Sequence, residues 1–486
     1  MRKKTLIRIQ NVGLMILIVS GCASPSSSTP PATADAQYPE VFAESEASPV
    51  SPEFAETQWW VRLGDEEMEG LIRRALDRNP SLEAADARVR AARHLIGTEQ
   101  ARLRPQISAS GAYTRTDLSE NLPILSGFME QGLVQTDQEL FSAGFDAAWE
   151  IDVFGGARKQ VEAAEAGAEA ADAVLRDAQL RMVAEVARTY FQLRNRQRGT
   201  ELLTESIELS ESLAALARNR LRTGVGMESA VAEAKSRTSI LKSRLPQSRA
   251  AVDASIYRLS VLCDEPSEDL RERLSRYVAP SSPPDLVPTG LSGSLLRRRP
   301  DVRRAEARLA AATAGSEARV AELYPKFLLT GFAGRQAETF TDLKDPESTG
   351  WLIAPTVQWN LYQGGGLRSG IEAAQAERDA AEAAYQDVVM RAVGEAETRL
   401  SFYAAAFDSR DRTEDLVRQR QRGLRVAQKG YEAGVADEEA VLKASLALVE
   451  AQSQLDQACT RVLTSLAALN KALGGGWTFP ETASDS

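Results

Sequence analysis

Few side chains in this chain of 486 residues are typed and spaced for chemistry, and the clearest is one thiol. Met1-Arg-Lys-Lys is a basic start, Leu14-Met-Ile-Leu-Ile-Val is a short apolar run, and Val19-Ser20-Gly21-Cys22 follows. An apolar run this short reads as a signal peptide over residues 1–21 rather than as a membrane span. The order apolar, Ser, Gly, Cys resembles a bacterial lipobox. It predicts that Cys22 becomes the lipidated first residue of the mature protein. Ala23 and Ser24 follow where an Asp would favour retention at an inner membrane, so the expected destination is an outer membrane.

No other group promises catalysis. Cys263 and Cys459 are the remaining cysteines, neither a disulfide framework nor a metal set, and the single histidine, His94, lies in a helical pattern. No phosphate-binding loop, nucleophile–His–acid set or metal-ligand cluster is present, so neither an enzyme nor a cofactor is expected. The net charge is −10 with no basic patch interleaved with aromatics, which argues against nucleic acid as a partner. The polar residues of interest are therefore ones that line or pair. Asp146, Glu150, Asp152, Gln358 and Asn360 sit on the polar faces of alternating segments, and Glu439 and Lys443 lie one helical turn apart.

The elements that must position these residues come twice. LIRRALDRNP at 71–80 is echoed by LSGSLLRRRP at 291–300, and Arg104-Pro105 by Tyr324-Pro325, at an offset of 220. Trp149 with Trp359, and Gly224-Val225 with Gly434-Val435, continue the match at an offset of 210. Two halves that differ by one ten-residue loop imply an internal duplication, over about 58–265 and 285–475. Residues 22–57 are Pro-, Ser- and Ala-rich and read as a tether, and 476–486 as a tail. Period-2 alternation predicts strands at about 105–115, 141–154, 326–335 and 351–361. In the second of these, Phe141, Phe145, Trp149 and Ile151 share one face, while Asp146, Glu150 and Asp152 share the other. About ten residues is the length of a strand that crosses a bilayer at a barrel tilt, and the terminal tryptophans fit interfacial girdles. After each strand pair a glycine break opens long helical runs, at about 157–222, 227–262, 367–431 and 437–473. A run of ~65 residues is roughly 100 Å long. Thr223-Gly224-Val225-Gly226 and Ala433-Gly434-Val435-Ala436 read as tight turns between them.

Four strands cannot close a membrane barrel, and an open edge in lipid leaves unpaired backbone groups. The strands must therefore be shared with other copies. Two copies give a barrel filled by its own side chains, whereas three give twelve strands and a lumen. The fold class expected is mainly α with a membrane β-barrel portion. Four strands per chain form a twelve-stranded trimeric barrel, continued by a long helical tunnel, with the polar face lining the lumen.

By this point the residues resemble a known family. Arg297-Arg-Arg-Pro300-Asp301-Val-Arg-Arg-Ala305-Glu306-Ala-Arg-Leu309, running on to Tyr324-Pro325, matches the signature of the bacterial outer membrane factors. These are the TolC-like channels, and the match is to their NodT- or OprM-type lipoprotein branch. Trp59-Trp60, Leu71-Ile72, Ala75-Leu76, Trp149-Glu150-Ile151-Asp152 and Gly434-Val435 support it. The resemblance implies a homotrimeric outer membrane channel with a periplasmic helical tunnel, the exit duct of a tripartite efflux system. A periplasmic adaptor and an inner-membrane pump, most often of the resistance-nodulation-division class, are its implied partners. It further implies that the turns 223–226 and 433–436 meet the adaptor and that a ring of residues just beyond the second turn closes the tunnel. In this sequence Glu439 and Lys443 stand where the family carries an apolar or Asp residue and a further Asp. Two other readings are an exit duct for an ATP-driven protein secretion system and a non-conducting structural coiled-coil lipoprotein.

Overall fold

Residue type dictates the first helix boundaries. The computed structural model describes residues 50–51, 58–117, 137–280, 287–288 and 298–475. A short strand β1 (Val50–Ser51) precedes helix α1 (Glu66–Arg78), whose cap Asp65 accepts a hydrogen bond from Met68 N at 3.0 Å. Asn79 ends α1 and caps α2 (Pro80–Ala101) by accepting from Ser81 N at 2.9 Å. Pro80 takes the first helical position, where a missing N–H costs nothing. The chain then runs through β2 (Gln106–Asp117) and β3 (Asp137–Ile151) into α3 (Gly156–Arg222) and α4 (Glu228–Cys263). A short α5 (Ser267–Leu274) and β4 (Val287–Pro288) follow, β4 pairing in parallel with β1. The second half repeats the order with α6 (Pro300–Ala321), β5 (Lys326–Ala337), β6 (Thr349–Gln358), α7 (Gly366–Glu432) and α8 (Glu438–Ala472). Helices α3 and α7 are each 67 residues long, about 100 Å.

The strands form one antiparallel sheet in the order β2-β3-β5-β6. Its register puts Ile107, Ala147, Gly331 and Ile353 in one row and Ser108, Asp146, Phe332 and Leu352 in the next. Because side chains alternate, one face of the whole sheet is apolar and the other largely polar. The outer strands β2 and β6 each have one edge unpaired among the described residues.

Two strands end earlier than expected. β3 begins at Asp137 and ends at Ile151, and β6 ends at Gln358, so Asp152 and Asn360 lie outside the sheet. Asp152 is turned to another task. Its carboxylate accepts from Ala157 N at 3.2 Å and Arg158 N at 2.9 Å, satisfying the free N–H groups that open α3. Asn360 sits in the link to α7. Alternation of apolar residues runs past the hydrogen-bonded ladder because these residues still pack at its foot, where Phe154 stacks on Tyr324 at 4.7 Å.

The core gathers around the middle of the two long helices, where the C-terminal ends of α4 and α8 pack against them. Trp59, Met68 and Leu71 pack there with Tyr190, Leu259 and Leu466. The duplication is visible in the bonds as well as in the chain. Trp149 Nε1 donates to Leu103 O at 3.0 Å, and Trp359 Nε1 donates to Leu323 O at the same distance. Both tryptophans thus tie a strand end to a helix end. Asn79 Nδ2 donates to Leu262 O at 2.9 Å, and at the matching place Arg299 Nη1 donates to Ala472 O at 2.8 Å. Arg299 is buried and paired with Asp301 at 2.7 Å and Glu395 at 2.8 Å. Burial alone would raise the Asp301 carboxyl, but its bonds to Arg299 outweigh that and hold it below its usual range. Among the described residues no helix is long and apolar enough to cross a membrane.

Candidate functional site

The helix tips are built by the same device twice. Gly224 and Gly434 adopt left-handed φ of +80° and +73°, which a side chain resists. Val225 N donates to Arg220 O at 3.0 Å, and Val435 N to Gly430 O at 2.8 Å, closing both ends by a Schellman pattern. The residues after each glycine are pushed outward, with Val225 78% and Val435 84% exposed. Thr223 stays with its own helix, its hydroxyl donating to Asn219 O at 3.1 Å.

One pair of positions exchanges glycine between the two tips. A Cβ on Gly226 would lie 2.7 Å from Leu221 N and 2.8 Å from the Arg220 carbonyl carbon, so only glycine fits. At the second tip the equivalents are Ala436 and Gly430, and the methyl of Ala436 takes up the space over Gly430. The first tip is therefore glycine opposite arginine, and the second is alanine opposite glycine.

That exchange leaves a guanidinium only on the first tip, and it reaches the second. Arg220 Nη2 pairs with Asp437 Oδ2 at 2.9 Å, and Arg220 Nη1 pairs with Glu439 Oε2. Glu439 Oε1 in turn holds Lys443 Nζ at 2.7 Å. The Glu439–Lys443 pair expected from the spacing is present, but it is half of a larger cluster. Arg220 lies more than two hundred residues away in the chain, and no local pattern announces it. The Lys443 hydrogen bond, with Arg220 adding to it, holds the Glu439 carboxyl below its usual range. Asp437 is held low by the N–H of Ala440, which it caps, and then by Arg220.

On the sheet, Asp146, Glu150 and Gln358 share the polar face as expected. Ser110 Oγ donates to the Asp146 carboxylate, and Lys326 Nζ approaches Glu150 at 3.5 Å. Lys326 lies directly opposite Gln358. The opposite face ends in aromatic clusters at both rims. Tyr113 packs on Phe141 at 4.7 Å at one rim, and Phe154 on Tyr324 at the other. Cys22 lies outside the described residues. Among those described, no group of acidic, His or Cys side chains is arranged to hold a metal, Cys263 and Cys459 are free thiols, and His94 is exposed.

Comparison with known proteins agrees with this geometry. The family model described as outer membrane efflux protein matches residues 71–262 and 291–475, one stretch in each half. A toluene efflux pump outer membrane protein, TtgC of Pseudomonas putida, is 28% identical over 96% of this chain and 95% of its own. A pyoverdine export outer membrane protein, OpmQ of the same species, is 27% identical over 95% of this chain and 96% of its own. The solved outer-membrane channel OprN superposes with a TM-score of 0.81 at 28% identity, covering 90% of this chain and 96% of that one. With both repeats matched and the sheet, long helix pairs and tips in place, the chain belongs to the outer membrane efflux protein family.

Proposed function

We propose that this protein is the outer-membrane exit duct of a tripartite efflux system for small amphiphilic organic compounds. The observation that carries the reading is the register of the sheet. One face is apolar, the other carries Ser, Thr, Gln and acidic residues with Leu328, Phe332 and Leu352 among them, both outer edges are unpaired among the described residues, and the strand pairs lead into helices of 67 residues. A sheet with free edges is stable in lipid only when copies complete it, and three copies close twelve strands around a lumen. The α3–α4 and α7–α8 pairs then form a periplasmic tunnel. Its tips, with Val225 and Val435 outermost, meet a periplasmic adaptor that joins the duct to an inner-membrane pump of the resistance-nodulation-division class. The relatives named for toluene and for pyoverdine favour small organic cargo over polypeptides. The duct itself performs no chemistry. Cys22 carries the lipid anchor, and the Arg220–Asp437–Glu439–Lys443 cluster holds the tips together in the closed channel.

Two measurements test this. Purified protein in planar bilayers should conduct ions, and deletion of the gene should raise susceptibility to amphiphilic compounds in a strain that retains its pump and adaptor. A non-conducting protein would defeat the duct reading. Cys22→Ala should abolish palmitate labelling, and unchanged labelling would place the lipid elsewhere or nowhere.

A further inference from the structure

One rung of the largely polar face carries an aromatic ring. Ser108, Asp146, Phe332 and Leu352 lie directly opposite one another on successive strands. Phe332 is an aromatic ring between Asp146 and Leu352, with Thr330 and Gly334 before and after it on the same face, and Leu352 is 59% exposed. The ring is seated on a floor without side chains. Gly144 and Gly334 are paired directly across β3 and β5. A Cβ on Gly144 would lie 2.8 Å from ring carbon Cε2, and one on Gly334 would lie 2.7 Å from Cζ. Each would also meet the opposite backbone, at 2.7 Å for Gly144 and 2.5 Å for Gly334. Two glycines at such a close approach mark sharp local curvature, and the phenyl group fills the space they leave. Asp146, directly opposite Phe332 on β3, accepts from Ser110 and has no ion-pair partner among the described residues.

We infer that the rung Asp146–Phe332–Leu352 is a contact site for organic cations that carry an aromatic or apolar body, held as they pass along the channel wall. The inference rests on the reading that the polar face lines the lumen. A carboxylate beside an aromatic face offers such a cation a counter-charge and a π surface at once, with Leu352 extending the apolar contact. The glycine floor fixes the ring in advance, so little side-chain freedom is lost on contact. An aromatic anion meets the ring but is repelled by Asp146. A small cation without rings meets the carboxylate alone. In a trimer the rung occurs three times at one level.

The test uses the intact trimer in a planar bilayer. Tetraphenylphosphonium is the probe, tetramethylammonium the ring-free cation and biphenyl-4-sulfonate the aromatic anion, and the concentration that halves the KCl current is read for each. Tetraphenylphosphonium should block at about tenfold lower concentration than either control. Asp146→Asn and Phe332→Ala should each raise its half-blocking concentration by about fivefold to tenfold, while Phe332→Tyr keeps the wild-type value. Tetramethylammonium block should not respond to Phe332→Ala. If Phe332→Ala fails to assemble, Phe332→Leu preserves apolar bulk without a ring and should show the same loss. Equal block by all three probes, or a ring-less variant with wild-type block, overturns the inference. Labelling separates this from the underlying assignment of faces. Phe332→Cys should react with a charged, water-borne thiol reagent and Phe145→Cys should not. The reverse pattern overturns the lumen reading itself. The expected pattern with insensitive block overturns the rung alone.

Discussion

At the first helix tip, a missing methyl group makes room for a charge. Gly226 clears the backbone of Arg220, and Arg220 can then reach the acidic start of α8. Gly226→Ala should force the tip apart, lowering stability by about 1–3 kcal/mol and raising resting conductance. Adding Arg220→Gly removes only the contact with the Arg220 Cβ and should recover part of the lost stability while leaving the conductance high, because the Arg220 pairs to Asp437 and Glu439 are gone. Heat resistance of the trimer and single-channel conductance check the two halves of that statement. The clamp also has a defined pH response. Asp437 and Glu439 both have depressed carboxyl groups in the folded protein. Their contribution is therefore complete above the ordinary carboxylate range and is lost as pH falls through the lowered folded values. Closure should be insensitive between about pH 5 and 8 and weaken only below about pH 4, as conductance against pH would show. A second residue-scale contrast concerns two buried tyrosines. The Tyr190 hydroxyl donates to Asp65 at 2.8 Å, whereas the Tyr403 hydroxyl is buried with no partner among the described residues. Tyr190→Phe should cost about 1–2 kcal/mol in denaturant unfolding, and Tyr403→Phe should be neutral or stabilising.

At the scale of elements, one joint is made in two ways. Asn79 fastens the start of α2 to the end of α4, and Arg299 fastens the start of α6 to the end of α8. The asparagine is neutral and small, while the arginine brings Asp301 and Glu395 with it. Arg299→Ala leaves those carboxylates facing each other and should cost about 3 kcal/mol, more than Asn79→Ala, in thermal or denaturant unfolding. The elements themselves were largely legible. The starts of α3 and α7, and their ends at the tips, fall within two residues of Gly155-Gly156, Gly364-Gly365-Gly366, Gly224 and Gly434, because a left-handed glycine marks a break in the helical backbone. Strand ends were less legible. Alternation continues through Val153 and Leu361 after the ladder has ended, since packing and headgroup contact reward the same pattern as pairing does. The eight-residue α5 is too short to show a period. Partnerships such as Arg220 with Glu439 depend on two hairpins lying side by side, which no window of sequence contains.

For the whole molecule, the deciding quantity is how many copies close the sheet. Mass measurement in mild detergent before heating should give three copies, and a conducting monomer or dimer would contradict closure by free edges. Duplication within each chain, and threefold assembly between chains, place six nearly equivalent helix pairs around one axis. The tips break that sixfold appearance. Three carry arginine opposite glycine, and three carry glycine opposite alanine. In the proposed assembly, a partner that meets this crown would find two kinds of notch in alternation, one bearing the Arg220 guanidinium and one without it. Such a partner would seat in three rotational settings rather than six, so the difference between the two repeats would act as a key for angular alignment along the conduit.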